Sequence, residues 1–147
     1  MTLEQLLEMW KTDSEIDRYK LDETSLNTPK LHSKYLEILS IAKLQKKKAE
    51  HSQKRLLKKK WLYYNGKLTK DDIEELGWEY DPFQGLKVLK GEMEYYYNSD
   101  IDIQKSEEKC EYHKVFVETA TEIVTNLNWR HQTVGNIIKW RQFEAGG

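Results

Sequence analysis

The longest stretch of the sequence without a helix-breaking signal runs from Thr28-Pro29 to Asn65-Gly66. Threonine followed by proline favours a helix start, because the hydroxyl can cap free backbone N–H groups and proline needs no N–H at the first helical position. Asn-Gly favours a turn that would end the helix. The sequence therefore predicts one helix of roughly ten turns over residues 29–65, and with it a mainly α fold.

Apolar residues follow one face of this helix at coiled-coil-like spacing. They are Leu31, Tyr35, Ile38, Ala42, Ala49 and Leu56. On the same side, a series at seven-residue intervals reads Leu39, Lys46, Gln53 and Lys60. Because the later members of this series are polar or charged, we expect the second half of the helix not to be buried as the first half is.

Shorter helices are predicted on both sides of the long one. Thr2 opens a capping box ahead of an apolar stripe, which predicts a short N-terminal helix. Thr69 is a similar cap for a helix of about two turns, which Gly77 would end. Two C-terminal helices are expected over residues 104–145, with a break at Asn126 to Asn128.

Residues 78–103 carry no helical pattern and are predicted as an irregular acidic connection. Pro82 and the glycines of this segment favour turns, and the run Tyr95-Tyr96-Tyr97 favours β structure, so we expect a loop or short strands. The length of the chain, 147 residues, fits one domain. We therefore predict a single domain over residues 1–147.

The charges of the chain are strongly segregated, although they nearly cancel to a net −1. Residues 43–60 hold nine lysines or arginines and one acid, Glu50. Residues 71–111 hold 13 acids against four lysines. The chain thus places one basic segment within an acidic body.

Seven cations of the long helix form a continuous positive surface, hereafter the basic strip. With about 100° between successive residues, four of them lie within about 60° of one another and the other three lie alongside. The basic strip consists of Lys43, Lys47, Lys54, Lys58, Lys48, Arg55 and Lys59. Such a strip can contact successive phosphates and release their counterions, which gives sequence-tolerant, salt-sensitive binding to nucleic acid.

Two observations favour single-stranded DNA as the ligand of the basic strip. The strip lacks the acids at i+4 that usually pair lysines on a solvated helix, and three aromatic residues follow it directly, Trp61, Tyr63 and Tyr64. Unpaired bases expose faces on which aromatic rings can stack. The residues predicted from this pattern to contact DNA include Lys54, Arg55, Lys59 and Trp61.

Other interpretations of the same residues remain open. The strip could be an ordinary solvated helix face, or the basic surface of a helical coiled-coil adaptor that binds an acidic protein partner. Trp61 could stack on a base or pack beneath the Asn65-Gly66 turn. A binding assay with labelled oligonucleotides distinguishes a DNA-binding protein from an adaptor.

Enzymatic chemistry is not expected, because the sequence contains no nucleophile with a partnering base, no glycine-rich phosphate loop and no metal-ligand cluster. Cys110 and His113 lie one helical turn apart, but a metal site needs further ligands. No apolar run is long enough to span a membrane, and the N-terminus does not resemble a signal peptide. We therefore expect a cytoplasmic protein without a cofactor.

The segment Leu57-Lys58-Lys59-Lys60-Trp61-Leu62-Tyr63-Tyr64-Asn65-Gly66 resembles the basic-aromatic motif of the UvsY family of phage recombination mediators. The C-terminal segments Asn128-Trp129-Arg130 and Ile137 to Glu144 resemble the closing helix of that family. The acidic start, residues 31–36 and the Glu92-Met93 region align loosely. The resemblance thus covers nearly the whole chain, with a longer segment at 78–85.

The resemblance implies a helical protomer that assembles into a ring-shaped homo-oligomer, a hexamer or heptamer, and binds single-stranded DNA. It implies contacts with a phage single-strand-binding protein and with a RecA-like recombinase, which the protein would help to load onto DNA in the host cytoplasm. Lys58 and Lys60 match the DNA-binding cations of the family motif. Residues of the segment 134–143 match the assembly element, namely Val134, Ile137, Ile138, Trp140 and Phe143.

Overall fold

The computed structural model describes residues 1–146, and every regular element within them is helical. The helices are α1 (Leu3–Asp13), α2 (Leu21–Tyr64), α3 (Lys70–Leu76), a 3-10 turn (Lys90–Glu92), α4 (Met93–Ser99), α5 (Ile101–Asn128) and α6 (Arg130–Glu144). The predicted mainly α fold is confirmed.

The capped helices begin where the sequence predicts. In α1 the Thr2 hydroxyl accepts a hydrogen bond from the Gln5 backbone N–H at 3.1 Å, and the Gln5 side chain accepts one from Thr2 at 2.8 Å. Thr69 and Asp72 form the same reciprocal cap on α3. Gly77 ends α3 at a φ of 74°, a left-handed conformation that favours glycine.

The predicted start of the long helix at Pro29 is wrong. α2 begins eight residues earlier, at Leu21, and Pro29 lies inside it. An internal proline removes one backbone hydrogen bond, but the helix continues through it. In the turn before Pro29, the Thr28 hydroxyl donates to the Thr24 carbonyl at 2.7 Å, and Leu21 is buried at the helix start. The helix therefore begins at the buried Leu21 despite the local helix-start signal at Thr28-Pro29.

The prediction of loop or strand at Tyr95-Tyr96-Tyr97 is also wrong, because these residues lie in α4. Tyr96 packs against Phe83 with ring centroids 4.8 Å apart, and Tyr97 against Tyr64 at 5.1 Å. Packing against these aromatic rings overrides the β preference of the tyrosines. α5 begins at Ile101, three residues before the predicted start.

The chain divides into two compact units. Residues 1–45 and 113–146 form the terminal unit, and residues 46–112 form the central unit. α2 and α5 each contribute one part to each unit.

The core of the terminal unit joins α1, the first part of α2 and the second part of α5. Its buried residues are Leu6, Tyr35, Leu39, Ala42, Phe116, Ala120, Ile123 and Leu127. The buried Arg130 donates from Nη2 to the carbonyl oxygens of Asp13 (2.9 Å) and Ser14 (3.1 Å). Arg130 therefore satisfies free carbonyl groups at the end of α1.

The core of the central unit is mostly aromatic. Tyr63, Tyr64 and Ile73 are buried, and six further residues pack against them: Leu68, Trp78, Phe83, Met93, Tyr96 and Tyr97. The Tyr63 hydroxyl donates to the Glu79 carbonyl at 2.5 Å, and Asn65 donates to the Tyr97 hydroxyl at 3.1 Å. The segment after α3, predicted as irregular, thus closes this core.

We expected the second half of α2 not to be buried as the first half is, and this expectation is wrong. Ala49, Lys60, Tyr63 and Tyr64 are all buried in the central unit. The polar positions of the seven-residue series have partners: the Cys110 thiol contacts Gln53 Oε1 at 3.6 Å, and Lys60 pairs with two aspartates of α5. Because these partners satisfy the polar groups, the seam can continue through them.

Candidate nucleic-acid interface

Six members of the basic strip belong to the central unit, and all six are exposed. They are Lys47, Lys48, Lys54, Arg55, Lys58 and Lys59. Lys43, the seventh, is exposed in the terminal unit. Because α2 is continuous over residues 46–64, the predicted helical phase applies, and Lys47, Lys54 and Lys58 share one face.

Most of these cations are without an acidic partner among residues 1–146. Lys47 lies 3.9 Å from Glu50, which also lies 3.8 Å from Lys46. Arg55 donates to the Ser52 hydroxyl at 3.1 Å. Lys48, Lys54, Lys58 and Lys59 form no salt bridge within the part of the chain that the structure describes. Their positive charge is therefore available to an anionic ligand.

Trp61 continues the exposed face of the basic strip. It lies about 60° around the helix axis from Lys58, and 49% of it is exposed. Its ring is not buried beneath the Asn65-Gly66 turn. Instead, the Lys67 ammonium lies 5.7 Å from the ring centroid, within the range of a cation–π contact. An exposed indole beside unpaired cations can accept a stacked base.

Tyr63 and Tyr64 do not share this face. Both are buried in the aromatic core of the central unit, with their ring centroids 4.9 Å apart. Of the three aromatic residues that follow the strip, only Trp61 is therefore placed to contact a ligand.

Lys60 is not part of the exposed basic surface, contrary to its predicted place among the DNA-contacting cations. It is 3% exposed and lies about 160° around the helix axis from Lys58. Its Nζ contacts Asp100 Oδ2 at 3.0 Å and Asp102 Oδ2 at 2.9 Å, and lies 3.8 Å from the centroid of the Trp78 ring. Two carboxylates and an aromatic face thus neutralise and enclose this ammonium group.

The Lys60 partners form a connected network. Asp100 Oδ2 also accepts a bond from the Tyr64 hydroxyl at 2.6 Å, and Asp100 Oδ1 accepts one from the Ile103 N–H at 3.0 Å, which caps α5. Burial alone would raise the pKa of Asp100, but these bonds and the Lys60 ammonium hold it below its usual value. Burial and the bond to Asp100 raise the pKa of Tyr64.

Asp100, Asp102 and Trp78 were not identified from the sequence. The sequence contains one indication of such a site: Lys60 lies on the apolar side of α2, where a lysine needs a buried partner. Nothing in the local pattern identifies which of the 13 acids between residues 71 and 111 supplies it.

The predicted assembly residues of α6 fall into two groups. Val134 is buried and Ile137 half-buried, so both pack within the terminal unit. Ile138, Trp140 and Phe143 are exposed, and the last two stack with ring centroids 5.5 Å apart. A groove of about 510 Å³ lies beside Trp140, lined also by Arg18, Ile137 and Arg141 among others.

Two other features bear on possible chemistry. Among residues 1–146, no group of three or more His, Cys, Asp or Glu side chains is placed to hold a metal ion. None of the helices in that range is long and apolar enough to cross a membrane.

Comparison with known proteins identifies the family. Residues 9–147 match the family model described as recombination, repair and ssDNA binding protein UvsY. The recombination protein uvsY of Enterobacteria phage T4 is 28% identical over 146 residues, which cover 99% of each chain. A crystal structure of the bacteriophage T4 recombination mediator protein UvsY matches with a TM-score of 0.81 at 28% identity, covering 99% of this chain and 98% of that one.

A second crystal form of the bacteriophage T4 protein matches with a TM-score of 0.78 at 25% identity, over 98% of this chain and 99% of that one. The family match spans nearly the whole sequence and includes both the basic strip and α6. The chain therefore belongs to the UvsY family of recombination, repair and single-stranded-DNA-binding proteins.

Proposed function

We propose that this protein is a recombination mediator that binds single-stranded DNA and helps a RecA-like recombinase to load onto DNA coated by a phage single-strand-binding protein. It acts in homologous recombination, repair and recombination-dependent replication, in the cytoplasm of the host cell. It contributes binding rather than catalysis and uses no cofactor of its own.

The observation that carries this proposal is the row of exposed, unpaired cations on α2 that leads to an exposed tryptophan. Lys54, Lys58 and Lys59 can each meet a phosphate, and Trp61 offers a ring to an unpaired base. Duplex DNA keeps its bases stacked inside, so Trp61 favours single strands. Phosphate contacts read no sequence, so binding is sequence-tolerant.

Assembly is the second element of the proposal. Ile138, Trp140 and Phe143 expose apolar surface on α6, which a second copy of the chain can cover in a ring-shaped homo-oligomer. A ring repeats the basic strip once per subunit. Each strip that binds raises the effective concentration of the strand for the next strip, so modest contacts add up to tight binding.

DNA binding is tested by fluorescence anisotropy with labelled oligonucleotides at several salt concentrations. We expect preference for single strands over duplex and a steep fall of affinity with salt. Replacing Lys54 and Lys58 by Ala should reduce the log–log salt slope by about 1.4 per protomer, since each phosphate contact on a single strand contributes about 0.7. Helicity should remain, because Ala favours helices.

A matched control removes two cations elsewhere. Lys105 and Lys109 are exposed on α5 within the acidic part of the sequence. Replacing both by Ala makes the same change in net charge but should leave the salt slope unaltered. If both double variants behave alike, or if the wild type binds without salt dependence, the basic strip is not the DNA site. Binding to an acidic protein, as in an adaptor, would then become the better account.

Assembly is tested with Trp140→Ala combined with Phe143→Ala. Both side chains are exposed, so the variant should fold but sediment as a smaller species. Deleting α6 would be less informative, because it would also remove the buried Arg130 that holds the end of α1. In the variant, long oligonucleotides should lose most of their advantage over short ones, while short ones bind as before.

The mediator step is tested by recombinase-dependent ATP hydrolysis on DNA precoated with single-strand-binding protein. The intact chain should restore hydrolysis, and the assembly-deficient variant should restore much less. Equal restoration by both would indicate that hand-off between proteins, rather than multivalent binding of the strand, drives loading.

A further inference from the structure

Lys60 belongs to the basic sequence motif but has a different environment from its neighbours. Lys59 and Trp61, directly before and after it, are exposed, whereas Lys60 is buried against Asp100, Asp102 and Trp78. To reach a phosphate, its ammonium would have to leave both carboxylates. That movement would leave the buried Asp100 without its counter-charge.

The contacts of Lys60 join three segments of the central unit. Lys60 itself lies in the penultimate turn of α2, Asp100 and Asp102 lie at the start of α5, and Trp78 follows α3. One turn further on, Tyr64 of α2 binds the same Asp100 oxygen at 2.6 Å. α2 is thus attached to the start of α5 at two points about one turn apart.

These two attachments determine which face of α2 turns outward. A helix held on one side by Lys60 and Tyr64 must present the opposite side to solvent, and that side carries Lys58 and Lys59. Trp61 lies at the edge of this side, about 60° from Lys58 and about 60° from Tyr64. Asn65 supports the same arrangement, because it donates to the Trp61 carbonyl at 2.7 Å and to the Tyr97 hydroxyl at 3.1 Å. The orientation of the exposed face of α2 therefore depends on the buried contacts of Lys60 and Tyr64.

We propose that Lys60 is a positioning residue for DNA binding: it contacts no phosphate, and its buried pairing with Asp100 and Asp102 holds Lys58, Lys59 and Trp61 in the orientation that a single strand requires. The proposal rests on the proposed DNA-binding function. The two cations of one motif thus have different roles. Lys58 contacts the ligand, and Lys60 holds the helix that presents Lys58.

The two roles predict different salt dependence for the same chemical change. Lys58→Met removes one phosphate contact, so the log–log salt slope per protomer should fall by about 0.7. Lys60→Met removes no phosphate contact but loosens the helix. Affinity should therefore fall severalfold at every salt concentration while the slope stays that of the wild type.

Lys60→Met can destabilise the central unit, so a compensated variant accompanies it. In Lys60→Met with Asp100→Asn and Asp102→Asn, no buried carboxylate is left without a counter-charge, and asparagine remains able to cap α5. Its affinity should also fall without a change of slope. Lys58→Met in the compensated background should again lower the slope by about 0.7.

Hydrogen exchange of the DNA-free protein provides a readout that does not depend on the ligand. Amides of residues 58–65 should exchange faster in both Lys60 variants but not in Lys58→Met, because only the former loosen the last turns of α2. A merely global loss of stability would instead accelerate exchange throughout the central unit.

The proposal is overturned if Lys60→Met reduces the salt slope as much as Lys58→Met does, because Lys60 would then be a phosphate contact. It is also overturned if the Lys60 variants bind with wild-type affinity, or if residues 58–65 exchange at the wild-type rate. Failure of the proposed function itself would look different: the wild type and every variant would lack salt-dependent binding, whatever the hydrogen exchange.

Discussion

Each unit contains a lysine and a tyrosine that contact the same aspartate, but the two sets are buried to different degrees. In the terminal unit, the Asp13 carboxylate accepts bonds from Lys34 at 2.7 Å and from the Tyr35 hydroxyl at 2.8 Å. In the central unit, Asp100 accepts bonds from Lys60 at 3.0 Å and from Tyr64 at 2.6 Å. Each unit thus joins a lysine and a tyrosine of α2 to one aspartate outside it.

These two lysine–tyrosine–aspartate triads differ in how far solvent reaches them. The side chains of Lys34 and Asp13 are 41% and 20% exposed, whereas those of Lys60 and Asp100 are 4% and 5% exposed. Water can replace a lost partner at the first pair but not at the second. The lysine–aspartate pair is therefore a weak, partly exposed contact in one unit and a structural requirement in the other.

The largest effect should follow from removing the buried cation. Lys60→Met leaves the buried Asp100 carboxylate without its counter-charge, and we expect the free energy of unfolding to fall by about 3 kcal/mol, near the lower end for broken buried pairs. The lower end applies because Asp102 is 47% exposed and can be hydrated, and Asp100 keeps its bonds to Tyr64 and Ile103. Urea denaturation measures the change.

The compensated variant is the control for this effect. Lys60→Met with Asp100→Asn and Asp102→Asn should recover a large part of the lost stability, because the cost lies in the unpaired carboxylates. No recovery would mean that Lys60 stabilises the unit through its contact with Trp78 rather than through the aspartates.

A smaller effect is expected from the tyrosines. Tyr64→Phe should lower the free energy of unfolding by about 2 kcal/mol, typical for a hydrogen bond to a charged group. Tyr35→Phe should cost about 1 kcal/mol, because Asp13 is partly exposed and water can replace the hydroxyl. Parallel urea titrations of the two variants give the comparison. A larger loss for Tyr35→Phe would contradict the ranking of the triads by burial.

Acid should destabilise the protein through both aspartates. Despite burial, the hydrogen bonds and nearby cations hold the pKa of Asp13 and that of Asp100 below their ordinary value of 3.8. The unfolded chain therefore takes up protons first as the pH falls, so this stability is complete above about pH 4 and is lost as the pH falls through the lower folded values.

Denaturation curves between pH 2 and pH 6 (a range of roughly two units on either side of the ordinary pKa) test this expectation. Asp100→Asn and Asp13→Asn should each lower stability at neutral pH and weaken its dependence on pH. If neither variant alters the slope below pH 4, the lowered pKa values are not the source of acid sensitivity.

The contrast between the triads also shows how far the sequence can be interpreted. The helix caps at Thr2 and Thr69 and the helix end at Gly77 were predicted correctly, because caps depend on residues three or four positions away. The environment of Lys60 was not, because its partner Asp100 is 40 positions away and only the fold brings them together. The family motif groups Lys58 and Lys60 by sequence, whereas the helix separates them onto opposite faces.

The errors at Pro29 and at Tyr95-Tyr96-Tyr97 have the same origin. In both places a local preference was clear, and the structure differs where side chains are buried or packed: Leu21 is buried eight residues ahead of the proline, and Phe83 and Tyr64 pack against Tyr96 and Tyr97. The exposed members of the basic strip were placed correctly, since an exposed helix face needs only the helical period and no partner.

The smallest effect should follow from removing the exposed cation. Lys34→Met breaks the contact with Asp13, but Lys34 is 41% exposed and the freed carboxylate keeps the Tyr35 hydroxyl and gains water. We expect a loss of about 0.5 kcal/mol in dilute buffer. Salt should abolish this loss, because the Debye length falls to about 3 Å at 1 M and screens exposed charges.

The loss caused by Lys60→Met should persist at the same salt concentration, since ions do not enter the buried contact. Denaturation of both variants at low and high NaCl, each against the wild type at the same concentration, separates the two kinds of pair. If salt erased the Lys60 effect as well, the Lys60 pair would be accessible to solvent ions. The ammonium could then leave Asp100 and Asp102 readily enough to meet a phosphate, and the division of roles between Lys58 and Lys60 would fail.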